Sequence, residues 1–193
     1  MSARARHARA ETAAVAHAAP ELRIRIKKNP DGSAALTCVR RDGSSTWQRQ
    51  LGKVGLVFPP HDLTHYAVET TLGYRRGFYG LVADGWQLDD FRAPWPRGAL
   101  PAEAVEVEMI VGFFDMERLM GARLSVEEFN GHAVKFVEGR RSGAVAPLRP
   151  LTADELARVR ALRADVLGRW GAVADGATLE LAFDRAQAPI ESR

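Results

Sequence analysis

The side chains with the clearest potential for chemistry lie in one short stretch, "FPPHDLTHYAVETTLG", at residues 58–73. If a helix begins at the second proline, His61, His65 and Glu69 follow at intervals of four residues, each about 6 Å further along the axis and about 40° further around it. They would then share one flank, where two imidazoles and a carboxylate can bind zinc, iron or manganese. The spacing therefore predicts a divalent-metal site, with Glu69 as third ligand, as an outer partner that orients His65, or as a general base.

The same stretch has a second interpretation, in which it is a capped helix without a site. Asp62 is a favourable N-cap residue, because its carboxylate can accept hydrogen bonds from the amides of the first helical turn. In that case the helix begins at Leu63, His61 lies outside it, and the four-residue spacing has no structural meaning. The pattern also departs from the His-Glu-x-x-His motif of zinc proteases, because Asp62 takes the place of the glutamate after the first histidine. The sequence is therefore not assigned to the zinc proteases.

Two further carboxylates lie on a longer predicted helix. Glu108 and Asp115 are seven residues apart, so they share a face and could supply carboxylates to a pocket formed with another segment. A solvated acidic flank is the simpler interpretation of this pair. His132 follows an Asn-Gly pair in a predicted loop or strand start, and nothing near it in the sequence specifies a role.

Composition indicates a globular chain rather than a membrane-spanning one. Of the 193 residues, 46% are hydrophobic and 26% charged, and no apolar run approaches the roughly 20 residues of a membrane-spanning helix. The single cysteine, Cys38, excludes an internal disulfide and suits a reducing compartment. We therefore expect a cytoplasmic protein in which Cys38 is a small buried residue of a strand.

The positive charge is concentrated at the N terminus. The net charge is +3, and residues 1–20 hold three arginines and one glutamate, which leaves only +1 for the remaining chain. A nearly neutral domain has little attraction for phosphate backbones, which argues against a nucleic-acid partner. We expect a disordered basic tail at 1–20, a single domain at 21–186 and a disordered C terminus at 187–193, although the tail also shares its Arg-rich, acid-poor composition with organellar transit peptides.

The elements that must position these residues follow from periodicity and turn signals. Alternating hydrophobicity predicts three antiparallel strands, "LRIRIKK", "SAALTCVRR" and "STWQRQL", separated by "NPDG" and "DG" turns. A last strand, "TLELAF", is expected to join this sheet, because an isolated strand cannot satisfy its backbone. Helices are predicted at about 60–72, 77–85 and 101–120, then after capping boxes at Ser125 and Thr152, with the Asn-Gly pair at 130–131 ending the fourth. The predicted fold is a two-layer α+β domain, a four-stranded antiparallel sheet covered by four to five helices.

Two functions are consistent with these features. The first is a module that binds a small ligand or a protein partner through a helical hairpin at 58–86, beside the aromatic loop "FRAPWP". The alternative is a metal-dependent, hydrolase-like enzyme that uses His61, His65 and Glu69. Nucleic-acid binding through the basic tail is a third and weaker hypothesis.

Overall fold

The computed structural model describes residues 19–139 and 149–185, and its centre is one antiparallel sheet. The four strands are Leu22–Lys28 (β1), Ala34–Arg40 (β2), Ser45–Gln50 (β3) and Thr178–Phe183 (β4). Their order in the sheet is β3-β2-β1-β4, so the C-terminal strand pairs with the first strand, as predicted. The predicted α+β class is confirmed, whereas most of the tails expected at 1–20 and 187–193 lies outside the described residues.

The described residues also form five α-helices, three of which pack directly on the buried face of this sheet. Their bounds are Lys53–Leu72 (α1), Phe78–Ala83 (α2), Ala102–Met120 (α3), Val126–Gly139 (α4) and Ala153–Ala172 (α5), and a short 3₁₀ helix spans Leu88–Phe91. The capping box predicted at Thr152 is present, since its side chain accepts from the Glu155 amide while the Glu155 carboxylate accepts from the Thr152 amide. No helix of the described part is long and apolar enough to cross a membrane.

Two hydrophobic clusters share helix α1. The inward face of the sheet, which includes Ile24 and Cys38, packs against Leu63 of α1 and against residues of α2 and α5. A second cluster joins Ala67 and Val68 of α1 to α3, α4 and α5. Because α1 contributes apolar residues to both clusters, its buried positions extend around more of the helix than one stripe, and this explains why its sequence lacks a simple apolar stripe.

Helix α1 begins seven residues earlier than predicted, at Lys53, and both prolines lie inside it. Proline lacks an amide proton, so the carbonyls four residues before Pro59 and Pro60 have no helical donor, but the φ angle of proline is compatible with a helix. The first turn is held close to the sheet at Gly55, where a Cβ atom would lie 2.6 Å from the Gln50 carbonyl oxygen. The alternative in which Asp62 caps a helix beginning at Leu63 is therefore wrong.

Helix α4 is longer than predicted, because the Asn-Gly pair at 130–131 does not end it. The Asn130 side chain accepts from the amide of Leu151 and donates to its carbonyl oxygen, at 3.0 and 2.9 Å. The asparagine thus fixes the start of α5 instead of breaking its own helix. His132, which was expected in a loop or at a strand start, consequently lies on α4.

Candidate metal site

Helices α1 and α3 bring two histidines and a glutamate together. The Nε2 atoms of His61 and His65 are 3.2 Å apart. The Glu108 carboxylate faces both, 3.1 Å from Nε2 of His65 and 3.6 Å from Nε2 of His61. Two nitrogen ligands held at about 2.0–2.1 Å from one ion with tetrahedral angles would be about 3.3 Å apart. The three groups therefore have the mutual spacing of ligands around a single cation.

The opposite nitrogen of each ring faces a second carboxylate. Nδ1 of His61 is 2.8 Å from Asp115, which lies two turns after Glu108 on α3. Nδ1 of His65 is 3.4 Å from Glu69, close enough for charge attraction, but their alignment does not make a hydrogen bond. Carboxylates in these positions favour a proton on Nδ1, so a cation in the shared space would be bound by the Nε2 atoms, after displacing any proton there.

The Glu69 carboxylate is directed away from that space. It accepts hydrogen bonds from the amides of Tyr79 and Gly80 at 3.0 and 3.2 Å, so it neutralises the N-terminal end of α2. Its side chain is fully buried. Gly77 makes this possible, since a Cβ atom there would lie 2.5 Å from Cδ of Glu69. Of the three roles predicted for Glu69, this position agrees best with that of an outer partner that orients His65.

The charges of the site depend strongly on one another. Burial disfavours the charged His65 ring, but Glu108 and Glu69 outweigh that effect and raise the pKa of His65 to about 10. Burial also opposes ionisation of Glu108 and Asp115, yet the neighbouring histidines keep the pKa of each carboxyl below its usual range. Without another cation, this group of residues therefore retains a proton on His65.

Strand β3 supplies a polar floor next to the histidines. Gln50 points inward, is buried and lines the same cleft as the histidines, and its partner in β2 is Ala34. Thr46 is also inward and buried, and its partner in β2 is Cys38. The Gln50 amide donates to the Asp62 carboxylate at 2.7 Å, and Asp62 is itself buried on α1. Burial raises the pKa of Asp62 to about 6, although the Gln50 hydrogen bond opposes that shift.

The three groups open into a cleft of about 420 Å³. His61, His65, Glu108 and Asp62 all line this cleft, whereas Glu69 does not. The other walls are mainly aromatic and basic side chains: Phe58, Phe78, Phe91, Trp95, Arg49 and Arg92. Trp95 is 46% exposed and has a φ of 59°, a left-handed conformation that is uncommon for residues other than glycine and often occurs at functional sites.

The sequence therefore identified most of the residues of this site but not all of its connections. His61 and His65 converge, and Glu108 and Asp115 share the face of α3 that meets them. Gln50, Gly77 and the basic cleft residues were not singled out. The inward polar positions of β3 were the available signal for Gln50, because a strand that covers a pure hydrophobic core alternates with aliphatic residues.

Comparison with known proteins gives no relative for this site. The sequence matches no protein-family model, no curated protein and no solved structure. The interpretation of the site accordingly depends on its own geometry and chemistry.

Proposed function

We propose that the protein binds one divalent cation through Nε2 of His61, Nε2 of His65 and the Glu108 carboxylate, and that it is a metal-dependent enzyme of hydrolase-like chemistry. The observation that carries this proposal is the convergence of two Nε2 atoms and a carboxylate at 3.1–3.6 Å. Three electron-pair donors this close repel one another unless a cation or a proton lies between them. Zinc, iron and manganese are all compatible with two imidazoles and one carboxylate.

The surroundings support a reactive rather than a purely structural site. Structural zinc sites are usually closed by four protein ligands, whereas catalytic sites keep a position for water or substrate. Three ligands are available here, and they border a cleft of a size suited to a small molecule. A cation in this position would act as a Lewis acid on water or on a substrate oxygen.

The residues around the three ligands have defined roles in this proposal. Asp115 orients the His61 ring through a hydrogen bond to its Nδ1 atom, and Glu69 acts on Nδ1 of His65 by charge attraction. Asp62 lines the same cleft as both histidines, and its carboxylate is a candidate to accept a proton from water or substrate. Glu69 is not assigned that task, because its oxygens are occupied by the amides of α2.

A second candidate is a small-ligand module without a metal, with the hairpin at 58–86 as its binding face. The specific observation in its favour is the position of the His65 ring between the Glu108 and Glu69 carboxylates, at 3.1 and 3.4 Å, because a protonated ring there would satisfy both charges without a metal. The same cleft would then bind a ligand through its aromatic and basic walls.

Metal titration of untagged, chelator-treated protein separates the two. We expect one equivalent of zinc, iron(II) or manganese by elemental analysis and calorimetry, and no tight binding in His65→Ala or Glu108→Gln. Glu127→Gln, an exposed change on α4, is the matched control and should bind as the parent does. Glu69→Gln should weaken binding by about 10- to 100-fold if Glu69 orients His65, and abolish it if Glu69 is itself a ligand. A parent that takes up no metal would refute the proposal and favour the metal-free module.

A further inference from the structure

A second concave surface adjoins the proposed metal centre on the other side of Glu108. This groove between α3 and α4 has a volume of about 410 Å³. Apart from Glu108 its lining is apolar: Leu100, Val105, Met109, Gly112, Phe113 and Phe136. Glu108 and Leu100 also line the cleft that holds the histidines, so the two spaces meet at the proposed ligand carboxylate.

Gly112 keeps the groove open. It lies in the interior of α3, where glycine is less favourable than almost any other residue. A Cβ atom at this position would have no neighbour within 4 Å, so neither packing nor the backbone of another segment requires a glycine there. Because Gly112 lines the groove and its Cβ position is open, a larger side chain there would extend into the groove.

We infer that the substrate of the proposed metal centre has an oxygen-bearing head group and an apolar arm, and that the arm lies in the α3–α4 groove beside Gly112. This inference rests on the proposed function, because the metal fixes where the head group binds. The arginines and glutamines of the cleft suit the polar end of such a molecule, and the groove offers only hydrophobic contacts to the other end. Apolar acyl compounds, such as esters or amides with an alkyl or aryl acyl group, have this chemistry.

The position of Glu108 favours a substrate arm over a protein partner as the occupant of the groove. Its side chain is 57% exposed between the two spaces, and any molecule in the groove lies against the carboxylate that would hold the ion. A partner that filled the groove would cover that side of the proposed centre. A substrate arm, in contrast, uses the same contacts to place the reacting group.

The test uses two probes with the same metal-binding head and different arms. Zinc-loaded protein is titrated with acetohydroxamic acid and with octanohydroxamic acid, whose hydroxamate oxygens bind the ion. Each buried methylene should strengthen binding by about fourfold, so we expect the longer probe to bind at least about tenfold more tightly even if only part of its chain is buried. In Gly112→Leu this advantage should disappear, while affinities for zinc and for acetohydroxamic acid stay unchanged.

Gly168→Leu is the matched control, since it places the same side chain at another exposed, uncrowded glycine within a helix, on α5. It should keep the full advantage of the longer probe. If Gly112→Leu does not fold, as judged by circular dichroism and thermal melting, Val105→Phe narrows the same groove and should have the same effect.

The outcomes separate the two proposals. Zinc binding with equal affinity for both probes, or an advantage that persists in the groove variants, would overturn the inference and leave the proposed metal site intact. A parent dimer that Gly112→Leu converts to a monomer would assign the groove to a second copy and also overturn it. A protein that binds no zinc would overturn both.

Discussion

Raising the pH from 6 to 8 should strengthen metal binding by about 100-fold through His65 alone. Burial lowers the pKa of His65, but the Glu108 contact and the charge attraction of Glu108 and Glu69 outweigh that effect and raise this pKa to about 10, so a metal must displace its proton throughout this range. Below the pKa of a ligand, each unit of pH changes the apparent affinity about tenfold. Calorimetry in two buffers with different ionisation enthalpies should therefore count about one released proton per metal bound.

The metal-free protein should show the opposite dependence in its stability. The folded-state pKa of His65 lies above the ordinary value of 6.5, so its contribution is fully present below about pH 6.5 and is lost as the pH rises towards about 10. One pKa unit corresponds to about 1.4 kcal/mol, which sets a ceiling of about 5 kcal/mol. Glu108 shares the proton and is partly exposed to solvent, so we expect a loss of about 2–3 kcal/mol, measured by urea unfolding between pH 6.5 and 9.5.

Two variants make this prediction specific. His65→Gln should remove both the proton release and the loss of stability at high pH. His132→Gln, a change to another partly buried histidine on α4, should leave both unchanged. Metal binding without proton release, or with the same affinity at pH 6 and 8, would refute the reasoning that His65 is both protonated in the free protein and a ligand in the bound one.

Three further changes test the supports of the site and of α5. Asp115→Asn should weaken metal binding by about 10- to 100-fold without abolishing it, measured by competition with a chromophoric chelator, and an unchanged affinity would contradict the orienting role of this carboxylate. Gly77→Ala should lower the free energy of unfolding by about 1–3 kcal/mol in urea titrations, because its methyl group would displace the Glu69 carboxylate from the α2 amides; a neutral effect would show that this contact is loose. Glu155→Gln should cost about 1–2 kcal/mol at pH 7, since the Arg149 guanidinium, though largely exposed to solvent, holds the pKa of this carboxyl at about 2. That difference between parent and variant is present above about pH 4.5 and should fade as the pH falls towards 2, and a constant difference would exclude the charge as its cause.

The strands and most helices could be predicted because their signals are local. Period-two hydrophobicity in β1 and β4, and the capping box at Thr152, each depend on residues within a few positions of one another. The errors arose where a long-range contact outweighed a local signal. Helix α1 runs through two prolines, and its first turn packs at Gly55 against the Gln50 carbonyl. In α4, the Asn130 side chain forms hydrogen bonds with Leu151 and does not end the helix.

For the candidate site, the sequence by itself determined that His61 and His65 share a flank if one helix contains both, because a four-residue interval in a helix fixes that relation. The structure decided that α1 begins at Lys53 and therefore contains both. It also determined that Glu108 and Asp115 share a face of α3. Only the tertiary structure decided that these two faces meet, that Glu108 faces both Nε2 atoms, and that Glu69 is directed towards α2 instead. The physical reason is that helical periodicity fixes directions within one helix, whereas the distance between α1 and α3 depends on the packing of the hydrophobic cluster between them.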